Sequence, residues 1–135
     1  MMPAWLVAFF THPAMLVGVG GAAGANARYW IGLWFRTQPW AKEFFWGTLI
    51  INVSGSIALG LIAALFRDRA GMGFLLLGTG FCGGYTTFST FSLEVVESVQ
   101  RGRWDLALLY VATSVAAGFI GFAAAWMLAG GPEKP

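Results

Sequence analysis

Residues 78–94 read GTGFCGGYTTFSTFSLE, and this stretch decides how the chain folds because it conflicts with its own surroundings. It lies within an uncharged run from Ala70 to Leu93, long enough to cross a hydrocarbon core about 30 Å thick as a helix. Its middle, however, is a poor helix former. Gly78, Gly80, Gly83 and Gly84 each cost about 1 kcal/mol relative to alanine. The β-branched residues Thr86 and Thr87 follow soon after the glycine pair, so the helical ladder is expected to open between Gly83 and Thr87. Lipid cannot satisfy the N–H and C=O groups freed by such a break; backbone of this kind must be buried in protein, face water or bind an ion. Where helix resumes, Phe88 and Phe91 fall on one face at i, i+3, with the hydroxyls of Ser89 and Thr90 beside them. A plainer reading makes the glycines a close-packing surface and the two rings lipid-facing bulk, since small residues are common where membrane helices meet.

Composition points the same way. A chain that is 58% hydrophobic and 10% charged, with a mean hydropathy of +0.70, cannot clothe a soluble domain in polar surface. The charges gather in short patches, and the intervening runs are long enough to span a membrane. The expected fold is an all-α membrane protein: one four-helix transmembrane domain over residues 1–135, with helices near 13–35, 44–66, 70–98 and 104–131, the third broken. A net charge of +2 is too small and scattered to suggest nucleic acid as a partner; the lipid bilayer is the expected environment. One Cys and one His exclude most disulfide and metal-cluster arguments, and with no acid at membrane depth they leave no enzyme-like constellation to assemble. Cys82 reads as a small packed apolar residue.

The opening residues, MMPAWLVAFFTHP, are apolar but lack the cationic start of a secretory signal, so cleavage is not expected. Trp5 suits an interfacial stretch or a lead-in to the first helix. In that helix Gly20 and Gly24 form a small-xxx-small pair able to pack against a neighbour. Arg28 has no acidic partner nearby in sequence. It either snorkels to the interface or sets a fixed positive charge at a vestibule that attracts an anion.

In the second helix Thr48, Asn52 and Ser56 recur at i, i+4, i+8, a narrow polar stripe on an apolar rod. Asn52 is costly in hydrocarbon, so it either glues helices together or donates its NH₂ to something passing by. Arg67-Asp68-Arg69 with Gly71 makes a tight link to the third helix, and Arg101-Gly102 is a helix stop. The fourth helix gathers Tyr110, Thr113 and Ser114 within one turn. Positive charge divides almost evenly between the two faces: Arg36, Lys42, Arg101 and Arg103 on one, Arg67, Arg69, Lys134 and the amino terminus on the other. The positive-inside rule therefore has little bias to act on, and two oppositely inserted copies can close as an antiparallel dimer.

The motifs resemble a known family. GFCGGYTTFSTFSLE (80–94) resembles the third-helix signature of the small dual-topology fluoride channels, the Fluc or CrcB family. WGTLIINVSG (46–55) and GANARYW (24–30) are similar to the second- and first-helix motifs. The resemblance implies an antiparallel homodimer in the inner (plasma) membrane, with two fluoride pores and a structural sodium ion. By the same resemblance, carbonyls of Gly83 and Thr86 hold sodium, and Phe88 and Phe91 flank the fluoride path. Asn52 is its amide, with Thr48, Thr90, Tyr110 and Ser114 as polar contacts and Arg28 at the vestibule. Where some relatives carry another hydroxyl one turn after Ser114, this chain has Gly118. Two other readings remain: a proton-coupled exporter, which needs a mid-membrane carboxylate when Glu94 is the only acid near a span, and a non-transporting assembly subunit.

Overall fold

Proline lacks an N–H and suits the first position of a helix, and the apolar amino-terminal stretch divides at His12–Pro13 accordingly. In the computed structural model, which describes residues 3–131, helix α1 (Ala4–Thr11) precedes α2 (Pro13–Thr37), with a 56° bend between them. A short 3₁₀ turn, Pro39–Ala41, leads to α3 (Trp46–Leu65). Helix α4 covers 72–85, in three pieces: Met72–Phe74, Leu75–Cys82 and Gly83–Tyr85. Helices α5 (Phe88–Gln100) and α6 (Trp104–Leu128) complete the chain. The fold is all-helical among the described residues. Lys134 and the amino terminus, both used in the charge balance, lie outside them.

By length and composition, α3 and α6 can each cross a membrane, and the bent pair α1–α2 qualifies jointly. Helix α1 is a separate element where the sequence suggested an interfacial stretch or a lead-in, and α6 ends at Leu128, short of 131, because Gly130 turns the chain at φ +68°. At the end of α5, Gly102 takes φ +75°, a conformation open to glycine at no steric cost.

Two helix pairs organise the bundle: α2 lies along α4, and α3 along α6. Glycine sets the closeness of the first. A methyl group at Gly24 would overlap the Phe81 carbonyl, one at Gly20 the Leu76 carbonyl, and one at Gly84 the Gly21 carbonyl. The pair Gly20/Gly24 thus packs a neighbouring helix as its spacing suggested. Residues Leu75–Cys82 take the wider π-helical ladder, a form that marks strain or function when it appears within α-helices. Gly78 and Gly80 carry no side chains to crowd that turn, and Gly80 lies against Gly20.

The break falls at Thr86 (φ −80°, ψ 157°) and Thr87 (φ −148°, ψ 110°), both extended. It is narrower than the sequence suggested, because Gly83–Tyr85 stay helical. Three contacts hold them there: Gly84 sits on Gly21, Tyr85 stacks on Phe81 at 5.6 Å, and the Tyr85 and Ser54 hydroxyls pair at 3.1 Å.

Candidate functional site

The polar stripe on α3 faces the break. Asn52 grips Thr87 from both sides: its Oδ1 accepts from the Thr87 N–H at 2.8 Å and its Nδ2 donates to the Thr87 carbonyl at 3.2 Å. The amide therefore replaces a lost turn of helix within the chain, with one of its two N–H donors spent. The Thr87 hydroxyl caps α5 by accepting from the Thr90 N–H at 3.1 Å, and it lies 3.0 Å from Thr90 Oγ1. The first turn of α5, with the positive end of its dipole, thus opens at the break.

Because the Thr87 N–H goes to Asn52, the Gly83 carbonyl loses the donor that a continuing helix would give it. Gly83 is exposed, and nothing stands within 4 Å of where its Cβ would be. The Thr86 carbonyl accepts from Arg28 Nη1 at 3.3 Å, so Arg28 reaches across to the break from α2. These two neutral oxygens are a donor set of the kind a hard cation takes, with the guanidinium already claiming part of one.

Two spaces meet here. A groove of about 390 Å³ is lined by Asn52, Ser56, Cys82, Gly83, Thr86, Thr87, Phe88, Phe91 and Ser114, among others. A larger cavity, about 560 Å³, collects Arg28, Arg36, Lys42, Thr48, Thr87, Thr90 and Glu94. Thr87 lines both. In the groove, the Phe88 and Phe91 rings lie 5.7 Å apart, and Phe88 is 80% exposed. Ser114 Oγ is buried without a hydrogen-bond partner among the described residues.

The sequence-expected residues therefore divide. Asn52, Phe88, Phe91, Ser114, Gly83 and Thr86 share the groove; Arg28, Thr48 and Thr90 share the cavity. Tyr110 lines neither. It is fully buried, its ring among Phe44, Phe45 and Phe91 and its hydroxyl donated to Glu94 Oε2 at 2.7 Å. Thr48 donates to Glu94 Oε1 at 2.8 Å. Sequence reading placed Glu94 merely at the end of a span, yet it ties α3, α5 and α6 together through two hydroxyls. Thr87, the most engaged residue of the break, was likewise read only as a helix-weakening threonine. The i, i+4 relation of Thr48 to Asn52 marks the stripe on α3 but not these partners.

Helices long and apolar enough to span a membrane, beside a mainly apolar groove that carries one amide and several hydroxyls, define an all-helical membrane protein. The family model described as "CrcB-like protein, Camphor Resistance (CrcB)" matches residues 15–127, and the chain belongs to this family. It is 45% identical over 120 residues to a protein of Gloeobacter violaceus named "Fluoride-specific ion channel FluC", covering 83% of this chain and 94% of that one. It is 40% identical over 116 residues to "Fluoride-specific ion channel FluC 1" of Symbiobacterium thermophilum, covering 84% and 91%. Over 108 residues it is 43% identical to a Roseiflexus protein that bears the FluC name, covering 78% and 86%.

Proposed function

We propose that this protein is a fluoride-specific ion channel that lets fluoride leave the cell passively. It is a membrane protein and not an enzyme. One observation carries the site assignment: Asn52, Phe88, Phe91 and Ser114 share a single groove that adjoins, at Thr87, a cavity holding Arg28. Fluoride is small and strongly hydrated, so a pathway must replace its water with donors. The free N–H of Asn52 and the hydroxyls of Thr90 and Ser114 are such donors, Thr48 stands beside them with its own O–H given to Glu94, and Arg28 draws anions toward them. The edges of Phe88 and Phe91 carry the positive part of the ring quadrupole. They favour an anion without a full charge that would trap it.

In this reading the chain spans the inner (plasma) membrane four times, through α1–α2, α3, α4–α5 and α6, as one domain. Two oppositely inserted copies form an antiparallel homodimer with two pores. Phe88 and Val115 of the groove lining, with Phe119 nearby, are exposed apolar side chains that a second copy would cover in this reading. Carbonyls of Gly83 and Thr86 from each copy would hold a sodium ion, whose positive charge would satisfy carbonyl lone pairs that the break deprives of N–H donors. It would be structural, not transported.

The test is ion efflux from liposomes that contain purified protein. With a potassium ionophore carrying the compensating charge, fluoride is expected to leave fast and chloride not at all, with no change when a protonophore collapses the proton gradient. Equal chloride efflux would overturn the fluoride assignment; dependence on the proton gradient would favour an exporter working through Glu94. Protein stripped of sodium before reconstitution is expected to conduct poorly and recover on sodium addition, and equal efflux with and without sodium would remove the ion from the proposal.

A further inference from the structure

Beyond the phenylalanine pair the groove runs into a third space of about 380 Å³ on the same face, lined by Ser56, Ser114, Val115, Gly118, Phe119 and Phe122. Ser56, Ser114 and Val115 line both, so two hydroxyls from facing helices stand at the junction. Their hydrogen-bonding states differ. Ser114 Oγ is buried and unpaired among the described residues, so its hydroxyl is open to a water or an ion. Ser56 Oγ donates to the Asn52 carbonyl at 2.8 Å, a local back-bond on its own helix that competes only weakly with other acceptors. Ser56 sits one helical turn beyond Asn52, about 6 Å along α3. Facing it on α6 is Gly118, where a Cβ would lie 3.6 Å from Ser56 Oγ, an ordinary contact distance.

We infer that Ser56 and Ser114 form a two-helix relay that takes fluoride from the Asn52–Phe88–Phe91 groove into the space along α6, with Ser56 supplying the donor that Gly118 cannot. This rests on the fluoride-channel reading. An anion leaving the Asn52 amide needs another donor within about one helical turn, or it faces apolar lining alone. Ser114 offers its free O–H, and Ser56 offers its own by releasing the Asn52 carbonyl. The remaining lining of the third space is glycine, valine and phenylalanine, so these two hydroxyls are its side-chain donors.

The relay makes the position of the hydroxyl matter less than its presence at this depth. Ser56→Ala is expected to slow fluoride efflux from liposomes about tenfold, the effect of one lost donor at a barrier, in protein that elutes as wild type does. Adding Gly118→Ser, which returns a hydroxyl from the opposite helix, is expected to restore most of the rate. Ser56→Thr and Ser56→Val have matched shapes and differ in the hydroxyl, so Thr is expected to conduct and Val to be slow; this pair carries the test should the alanine variant misfold. Wild-type efflux from Ser56→Ala or Ser56→Val, or a double variant as slow as Ser56→Ala, overturns the relay. Because wild-type protein is measured alongside, a wild type that moves no fluoride would instead remove the channel reading itself.

Discussion

Glycine is used in two opposite ways on the two sides of this bundle. Along the α2–α4 seam, Gly20, Gly24, Gly80 and Gly84 bring backbones together, and each is placed where a methyl group would press on main-chain atoms. Backbone cannot step aside as a side-chain end can. On the groove side, Gly83 faces open space, Gly118 meets only the tip of Ser56, and Gly55 and Gly78 meet side chains, those of Thr86, Tyr85 and Phe74. One side is closed by backbone against backbone; the other meets side-chain atoms or open space. The lesson is that a glycine count says little about membrane helices until one asks what a Cβ would meet.

The sharpest way to break this contrast is Gly24→Ala. Overpacking costs about 1–3 kcal/mol where neighbours relax, and here the Phe81 carbonyl and Tyr85 N–H have no freedom to do so. The variant is expected to lose monodisperse elution or to melt far below wild type; a stable, active Gly24→Ala protein would show that the seam is looser than described. On the groove side, substitutions are expected to spare the fold and remove transport. Asn52→Asp should nearly abolish fluoride efflux, because it puts negative charge in the anion's path and loses the donor to the Thr87 carbonyl. Phe88→Ile and Phe91→Ile keep apolar bulk but remove the positive ring edge; a loss of about 2 kcal/mol at a barrier would slow efflux about thirtyfold. If all three ran at the wild-type rate while eluting as folded protein, these would be packing residues. The smallest effect belongs to Gly18→Ala, on the same helix as Gly24 but with nothing within 4 Å of its Cβ position. Its thermal midpoint is expected to stay level or rise with the gain in helix propensity, worth up to about 1 kcal/mol. Damage equal to that of Gly24→Ala would mean that another surface covers this face.

The break was legible in the sequence because two local costs, glycine entropy and β-branching, fall together in an apolar run. Its exact extent was not, since Gly83–Tyr85 are kept helical by Gly21, Phe81 and Ser54, residues brought near only by the fold. The Thr48–Asn52–Ser56 stripe was legible as periodicity, but its partners were not. Glu94 is 46 positions from Thr48 and 16 from Tyr110, and Asn52 is 35 from Thr87. The π-helical piece of α4 left no local mark at all, because glycine permits a wider turn without requiring it. The bend at His12–Pro13 was half legible: proline marked the start of α2, while nothing local fixed the direction of α1.

The position of Thr87 has an electrical consequence. It lines both the cavity and the groove and is held by the Asn52 amide, so on the proposed path the two spaces meet at this residue. A membrane voltage falls mainly across whatever keeps water out, and water-filled spaces on either side would carry little of it. The drop, about 2.3 kcal/mol per elementary charge for each 100 mV, would then be concentrated across the Thr87 layer instead of spread over the thickness of the bilayer. On the proposed path, a fluoride ion would meet much of that drop near Thr87.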